Sequence, residues 1–384
     1  MDFSIPEELR LLQGAVRRYT EGELVPLEQP FSAVERLPLE IVQGLEAKVK
    51  AMGLWALGVT ADLGGGELSL VGQCVVQEEL HRAFLPYYPA PWHGFGGNPH
   101  PALFACRGEQ RDRLLLPVVR GDLHASLAQA EPEGGSDLAG VRTRAERENG
   151  SYVLNGAKCF VVGAEERTDL WLVLATVDRS TGRDGVTCFA VERDRPGVSA
   201  QLQPRFIGGA QPYQITLEDC RVPEANRIGA EGEGASLAQA GLGRNRILYA
   251  PRTAGIGERC LEMAARHSKQ RVTFGQPLSN RQAIQWMLAD MAVDTEVCRT
   301  LGYKAAWLAD QGQDVRDISA KVKLFATEAA GRIIDRCIQV FGVSGLTHDM
   351  PLARLWKTIR CQRVSDGPSE IMRFVIARNV LRGA

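Results

Sequence analysis

Apolar residues recur at helical spacing through the first third of the chain. Leu9, Leu12, Val16 and Tyr19 fall on one helix face, and Leu39, Val42, Leu45 and Val49 on another. The run Asp62-Leu-Gly-Gly-Gly interrupts this period as a loop, and Val71 to Ala83 resumes it. From Pro86 to Pro101 the density of proline and glycine predicts an irregular segment, placed where a substrate mouth would form. Gln110 to Val119 predicts a further helix ending at Arg120-Gly121.

The period then changes. Tyr152-Val-Leu-Asn-Gly-Ala predicts a hairpin that turns at Asn155-Gly156. Leu170 to Ala175 and Val186 to Val191 are apolar runs of strand length. Tyr213, Ile215 and Leu217 alternate with polar neighbours, as a half-buried strand does. Strands separated by turns, with no helical pattern between them, predict a compact β-barrel or sandwich. From Gly232 the helical period returns. Three stripes (Ile284, Met287, Leu288, Met291; Ile318, Val322, Phe325; Ile333, Cys337, Val340, Phe341) predict four long amphipathic helices in an antiparallel bundle. The fold class expected is therefore mainly α with a central β-domain: a helical domain over 1–121, a small β-barrel over 122–231 and a four-helix bundle over 232–384. No low-complexity linker separates the three, so they are expected to pack as one unit.

Composition narrows the function classes. A formal net charge of −1 and scattered basic residues argue against a nucleic-acid or anionic-membrane binder. Nine cysteines are dispersed without CxxC or Cys/His ligand spacing, so reduced thiols and no metal site are expected. The first residues show neither a basic n-region nor an apolar h-region, and no apolar run reaches membrane-spanning length. The expected location is cytoplasmic.

The chemistry concentrates in Arg363-Val-Ser-Asp366-Gly-Pro-Ser-Glu370-Ile-Met-Arg373. A carboxylate stands directly before a Gly-Pro break, and a helical pattern restarts through Ile371, Phe374, Val375 and Arg378. Taken alone, Asp366 fits either a helix cap or a general base held rigidly at a helix junction.

Further motifs bear on that choice. Glu131-Pro-Glu-Gly-Gly-Ser-Asp137, Tyr152-Val-Leu-Asn-Gly-Ala-Lys158, Arg221-Val-Pro223 with Ile228-Gly229, Arg271-Val-Thr-Phe-Gly275 and Gln339-Val-Phe-Gly-Val-Ser-Gly345 occur in this order, followed by Asp366-Gly367. In order and spacing they resemble the acyl-CoA dehydrogenase family along essentially the whole chain. The Asp-Gly-Pro form is similar to an aspartate-base branch, the acyl-CoA dehydrogenase 10/11-like enzymes, and to nitroalkane oxidase.

The resemblance implies bound FAD, a homotetramer built as a dimer of dimers, an acyl-CoA or acyl-carrier substrate, and electron-transfer flavoprotein as partner. It implies α,β-desaturation of an acyl thioester, with Asp366 removing the α-proton in a dry pocket while the β-hydride moves to the flavin. The alternative family position for the base, one residue before Arg246, is Asn245. Arg246, Ser136 and Gly367 are expected at the substrate. Gln129, Ala130, Gly135, Ser136, Phe160 and Val162 are expected at the flavin. The resemblance places Arg271, Thr273 and Phe274 on the pyrophosphate of a neighbouring subunit, with Gln339 and Gly342 as the opposing clamp. Pro368 and Glu370 are also expected to line the cofactor. Several positions depart from the pattern. Ala130 stands where a hydroxyl residue is common, Val162 cannot donate the usual hydrogen bond near the flavin, Val343 replaces a glycine and Pro368 a threonine. The same fold also admits an oxidase or lyase acting on a carbanion-forming substrate, or a catalytically weak FAD-binding subunit of a heteromeric dehydrogenase.

Overall fold

A computed structural model describes residues 5–87, 95–163 and 165–383. Part of the Pro86–Pro101 segment expected at the substrate mouth, residues 88–94, lies outside the described residues.

The first helices are α1 (Glu7–Tyr19), α2 (Leu39–Ala51), α3 (Leu70–Leu80) and α4 (Leu116–Arg120). The two predicted stripes meet face to face: Val16 and Tyr19 of α1 share a core with Val42, Leu45 and Val49 of α2. Ser69 caps α3, its hydroxyl accepting from the Gly72 N–H at 3.1 Å.

Eight strands follow: β1 (Ala125–Ala128), β2 (Arg144–Glu148), β3 (Ser151–Val161), β4 (Leu170–Thr176), β5 (Val186–Glu192), β6 (Val198–Leu202), β7 (Tyr213–Pro223) and β8 (Arg227–Ile228). They form one sheet in the order β6-β7-β3-β2-β4-β5-β8, with β1 pairing parallel to β4. Strands β4 and β5 are mostly apolar because both of their faces are covered. Trp171, Val173 and Ala175 join the core of the β-domain, while Leu170, Leu172 and Leu174 pack against the helical residues Leu114, Leu115 and Val119.

The predicted turn at Asn155-Gly156 is not formed. Both residues lie inside β3, and the chain turns instead at Asn149 and Gly150, with φ of 48° and 74°. That pair has the left-handed geometry a two-residue hairpin needs. Gly156 marks a bulge where the β3–β7 register shifts. A Cβ there would sit 2.7 Å from the Thr143 Cα, so glycine serves close backbone approach.

The last zone contains α5 (Gly234–Gln239), α6 (Leu242–Gln270), α7 (Gln282–Asp310), α8 (Arg316–Phe341), α9 (Leu352–Gln362) and α10 (Ser369–Gly383). A short hairpin, β9 (Val272–Thr273) and β10 (Gln276–Pro277), joins α6 to α7. Here too one expectation is corrected. The stripes Ile318–Phe325 and Ile333–Phe341 belong to a single helix, α8, so three long helices are completed by two shorter ones. Nothing between the stripes breaks a helix: Gly331 costs some stability but lies in mid-helix. Among the described residues, no helix is long and apolar enough to cross a membrane.

Candidate active site

The residues singled out from sequence fall into three groups. The first gathers where α6 and α8 meet the α9–α10 junction. Asp366 adopts φ 52° and Gly367 φ 94°, two successive left-handed residues that turn the chain between helices. Side chains from the bundle hold this turn. The Arg246 Nε donates to the Asp366 carbonyl at 3.0 Å, and the Lys323 Nζ to the Gly367 carbonyl at 2.7 Å. A Cβ on Gly367 would lie 2.9 Å from the Arg246 Nη2, so glycine lets the guanidinium approach.

The Asp366 carboxylate reaches back to the bundle. Its Oδ2 accepts a hydrogen bond of 2.9 Å from the Tyr249 hydroxyl. Tyr249 is buried on α6, beneath the Arg252 guanidinium, which lies 5.2 Å from the ring centroid. Burial raises the Tyr249 pKa well above its ordinary value, so the hydroxyl stays protonated and serves as a donor. Burial lowers the pKa of Lys323 to about 8, with the Asp366 charge opposing the shift. Arg246 is also lowered, mainly by burial. Asp366 itself is exposed in the single chain, so the dry enclosure expected around it is not supplied by the described residues of one copy. Pro368 and Glu370 continue the turn, and the Ser369 hydroxyl donates to Glu328 at 2.9 Å.

Sequence reasoning missed Tyr249, Lys323 and Arg252. Each sits on an apolar helix face, where a polar residue among aliphatic neighbours was the available signal.

The second group lies at the end of β1 and β3. The Cys159 N–H donates to the Ala130 carbonyl at 2.9 Å, which sets the loop carrying Gln129, Gly135 and Ser136 beside Phe160 and Val162. The loop is held from beneath by Glu131. Its carboxylate takes the Lys158 ammonium at 2.6 Å, the Thr143 hydroxyl at 2.6 Å and two backbone N–H groups. Hydrogen bonds and the Lys158 charge outweigh burial and lower the Glu131 pKa, so this is a buried carboxylate–ammonium pair. Phe160 adopts φ 54° and is 55% exposed, and Val162 is also exposed. An uncovered apolar face beside an open glycine loop fits a planar ring system such as a flavin.

The third group sits at the opposite end of the bundle. Phe274 and Gly275, at φ 48° and 77°, turn the β9–β10 hairpin, and Phe274 is 97% exposed. Arg271 is exposed beside it, and Thr273 is held by the Arg281 guanidinium through its carbonyl at 2.8 Å. Gln339 and Gly342 end α8 nearby: His267 and Phe341 stack with centroids 4.3 Å apart, joining the ends of α6 and α8. Lys323 and Gln339 are separated by about 24 Å of helix at 1.5 Å per residue, so the first and third groups lie far apart in one chain.

Comparison with known proteins gives the family. The N-terminal domain of acyl-CoA dehydrogenases matches residues 6–122, their middle domain 126–220 and their C-terminal domain 232–381. The chain belongs to the acyl-CoA dehydrogenase family. It is 32% identical to the (R)-benzylsuccinyl-CoA dehydrogenase of Thauera aromatica, over 99% of this chain and 97% of that one. The butyryl-CoA dehydrogenase of Megasphaera elsdenii superposes with a TM-score of 0.87 at 27% identity, with 100% of both chains covered. A structure of PigA with FAD and proline superposes with a TM-score of 0.88 at 26% identity, again over 100% of both chains. The protein is an FAD-dependent oxidoreductase of acyl-CoA thioesters.

Proposed function

We propose that this enzyme desaturates an acyl-CoA between its α and β carbons, with Asp366 as the general base. The observation that carries this reading is the orientation of the Asp366 carboxylate. It stands at a helix junction whose backbone is tied to α6 and α8, and one of its oxygens is engaged by Tyr249 while the other has no hydrogen-bond donor among the described residues. A base held this way keeps its reach and direction when substrate arrives. Aspartate is one methylene shorter than glutamate, roughly 1.5 Å of reach. FAD, when bound, supplies the hydride acceptor. Residues 129–136, Phe160 and Val162 would hold its ring, Pro368 and Glu370 would lie along it, and Arg246, Ser136 and Gly367 would border the thioester.

The third group supports the homotetramer. Arg271 and Phe274 project from the surface at the end of the bundle remote from Asp366, which suits them to phosphate and adenine groups held by a neighbouring copy. Exposed Trp286, Val293 and Val297 on α7, with Phe374, Val380 and Leu381 on α10, are apolar surfaces of the kind subunits cover. Electron-transfer flavoprotein as the electron acceptor and a cytoplasmic location complete the proposal.

The test is Asp366→Asn. Flavin bleaching by a panel of acyl-CoAs is expected to slow by about 10²- to 10⁴-fold, the range for loss of a general base, with FAD retained. Bleaching at the wild-type rate would remove Asp366 as the base.

A further inference from the structure

We propose that Tyr249 is a positioning residue for Asp366: its hydroxyl holds Oδ2 and turns Oδ1 toward the α-carbon of the substrate. The inference rests on the reading of Asp366 as the base.

Asp366 is exposed, and an unrestrained aspartate side chain rotates about two torsions. Arg246 and Lys323 bind the successive backbone carbonyls of Asp366 and Gly367, so they fix the backbone of the turn but not the carboxylate. Among the described residues, Tyr249 is the only side chain that hydrogen-bonds the carboxylate itself. Its own position is secure. The ring is 4% exposed within the core of the bundle, the Arg252 guanidinium lies 5.2 Å from the ring centroid and the Lys323 ammonium 5.8 Å. Arg252 is in turn anchored by the Gln77 Oε1 at 2.8 Å. The Ser365 hydroxyl, 3.4 Å from that of Tyr249, lies in the same turn as the base. The orientation of the carboxylate thus passes to a rigid helix rather than to the exposed loop that carries it.

The chemistry uses one oxygen. The Cα–H bond breaks, its proton passes to Oδ1 and its electron pair forms the new Cα=Cβ bond; FAD, when bound, would supply the acceptor for the hydride leaving the β-carbon. With Oδ2 engaged, the free oxygen presents its lone pair in one direction.

The experiment compares Tyr249→Phe, which keeps the ring and its cation contacts, with 3-fluorotyrosine placed at position 249, which keeps a hydroxyl of greater acidity. Flavin reduction in Tyr249→Phe is expected to slow by about 10- to 100-fold, with a larger α-deuterium isotope effect. Affinity for FAD and for a non-reacting thioether analogue of the acyl-CoA should be unchanged. The fluorinated protein is expected to retain most of the rate with an altered isotope effect. If both variants reduce flavin at the wild-type rate with the wild-type isotope effect, the proposal falls. It falls equally if the rate drops only in step with loss of FAD or analogue binding, the mark of a purely structural role. Asp366→Asn separates the two ideas. An active Asp366→Asn overturns the base, whereas an inactive one beside a fully active Tyr249→Phe overturns the clamp alone.

Discussion

Two adjacent residues in left-handed backbone, Asp366 and Gly367, carry the proposed base. A left-handed aspartate is uncommon and is held only where surrounding contacts outweigh its cost. Here those contacts are the two cations on the carbonyls and Tyr249 on the side chain. Gly367→Ala tests this local balance, because its Cβ would meet the Met372 Cε at 2.8 Å and the Arg246 Nη2 at 2.9 Å. The substitution is expected to cost about 1–3 kcal/mol in urea unfolding and to slow flavin reduction as Arg246 is displaced. Asp366 could be singled out from the chain as the candidate base because Asp-Gly-Pro is a local signal. Tyr249 and Lys323 could not, since a buried polar residue on an apolar face looks the same in sequence whether it satisfies a core or serves a site.

Element-scale packing decides how the candidate cofactor loop is presented. The loop after β1 is tied to β3 by Glu131 and Lys158, both buried. Lys158→Met would leave the carboxylate with Thr143 and backbone donors only. The expected loss is about 3 kcal/mol, the lower end for breaking one partner of a buried pair, read by chemical denaturation. His81, just past α3, tests burial in another way. Its pKa is lowered to about 3, chiefly by burial and then by the Arg252 charge. The unfolded chain binds this proton near pH 6.5 and the folded chain does not. The histidine therefore removes stability as pH falls from 6.5 toward 3, by up to about 1.4 kcal/mol per pH unit. His81→Gln is expected to unfold with a shallower pH dependence over that window, measured by thermal melts. At this scale periodicity located α1, α2, β4, β5 and β7. It misread α8 as two helices, because a stripe carries no mark of where a helix ends without a breaker. It also misplaced the hairpin: both Asn-Gly pairs carry the turn signal, and only strand pairing selects Asn149-Gly150.

On the scale of the whole molecule, the candidate cofactor residues do not converge within one chain. The Asp366 group and the Arg271–Phe274 hairpin occupy opposite ends of α6 and α8, which is the arrangement expected if each copy completes its neighbour's site. Arg271→Ala and Phe274→Ala are therefore expected to lose FAD while subunits stay associated. Trp286→Glu or Val293→Glu, placing charge on an exposed apolar face of α7, is expected to yield smaller species that also release FAD. Sedimentation velocity with absorbance at the flavin band checks both outcomes. A dissociated protein that kept its flavin would contradict the shared site.

The amino-acid order alone determined the succession of helices, strands and helices, the carboxylate before Gly-Pro, and the family motifs in register. These are local properties, written in side-chain period, turn chemistry and short spacings. Tertiary structure alone decided that Tyr249 meets Asp366 across 117 residues and that Lys323 and Arg246 hold its turn. It also placed the Arg271–Phe274 hairpin far from Asp366. Such contacts depend on how helices pack across the bundle, and no pattern within a single helix encodes which faces will meet.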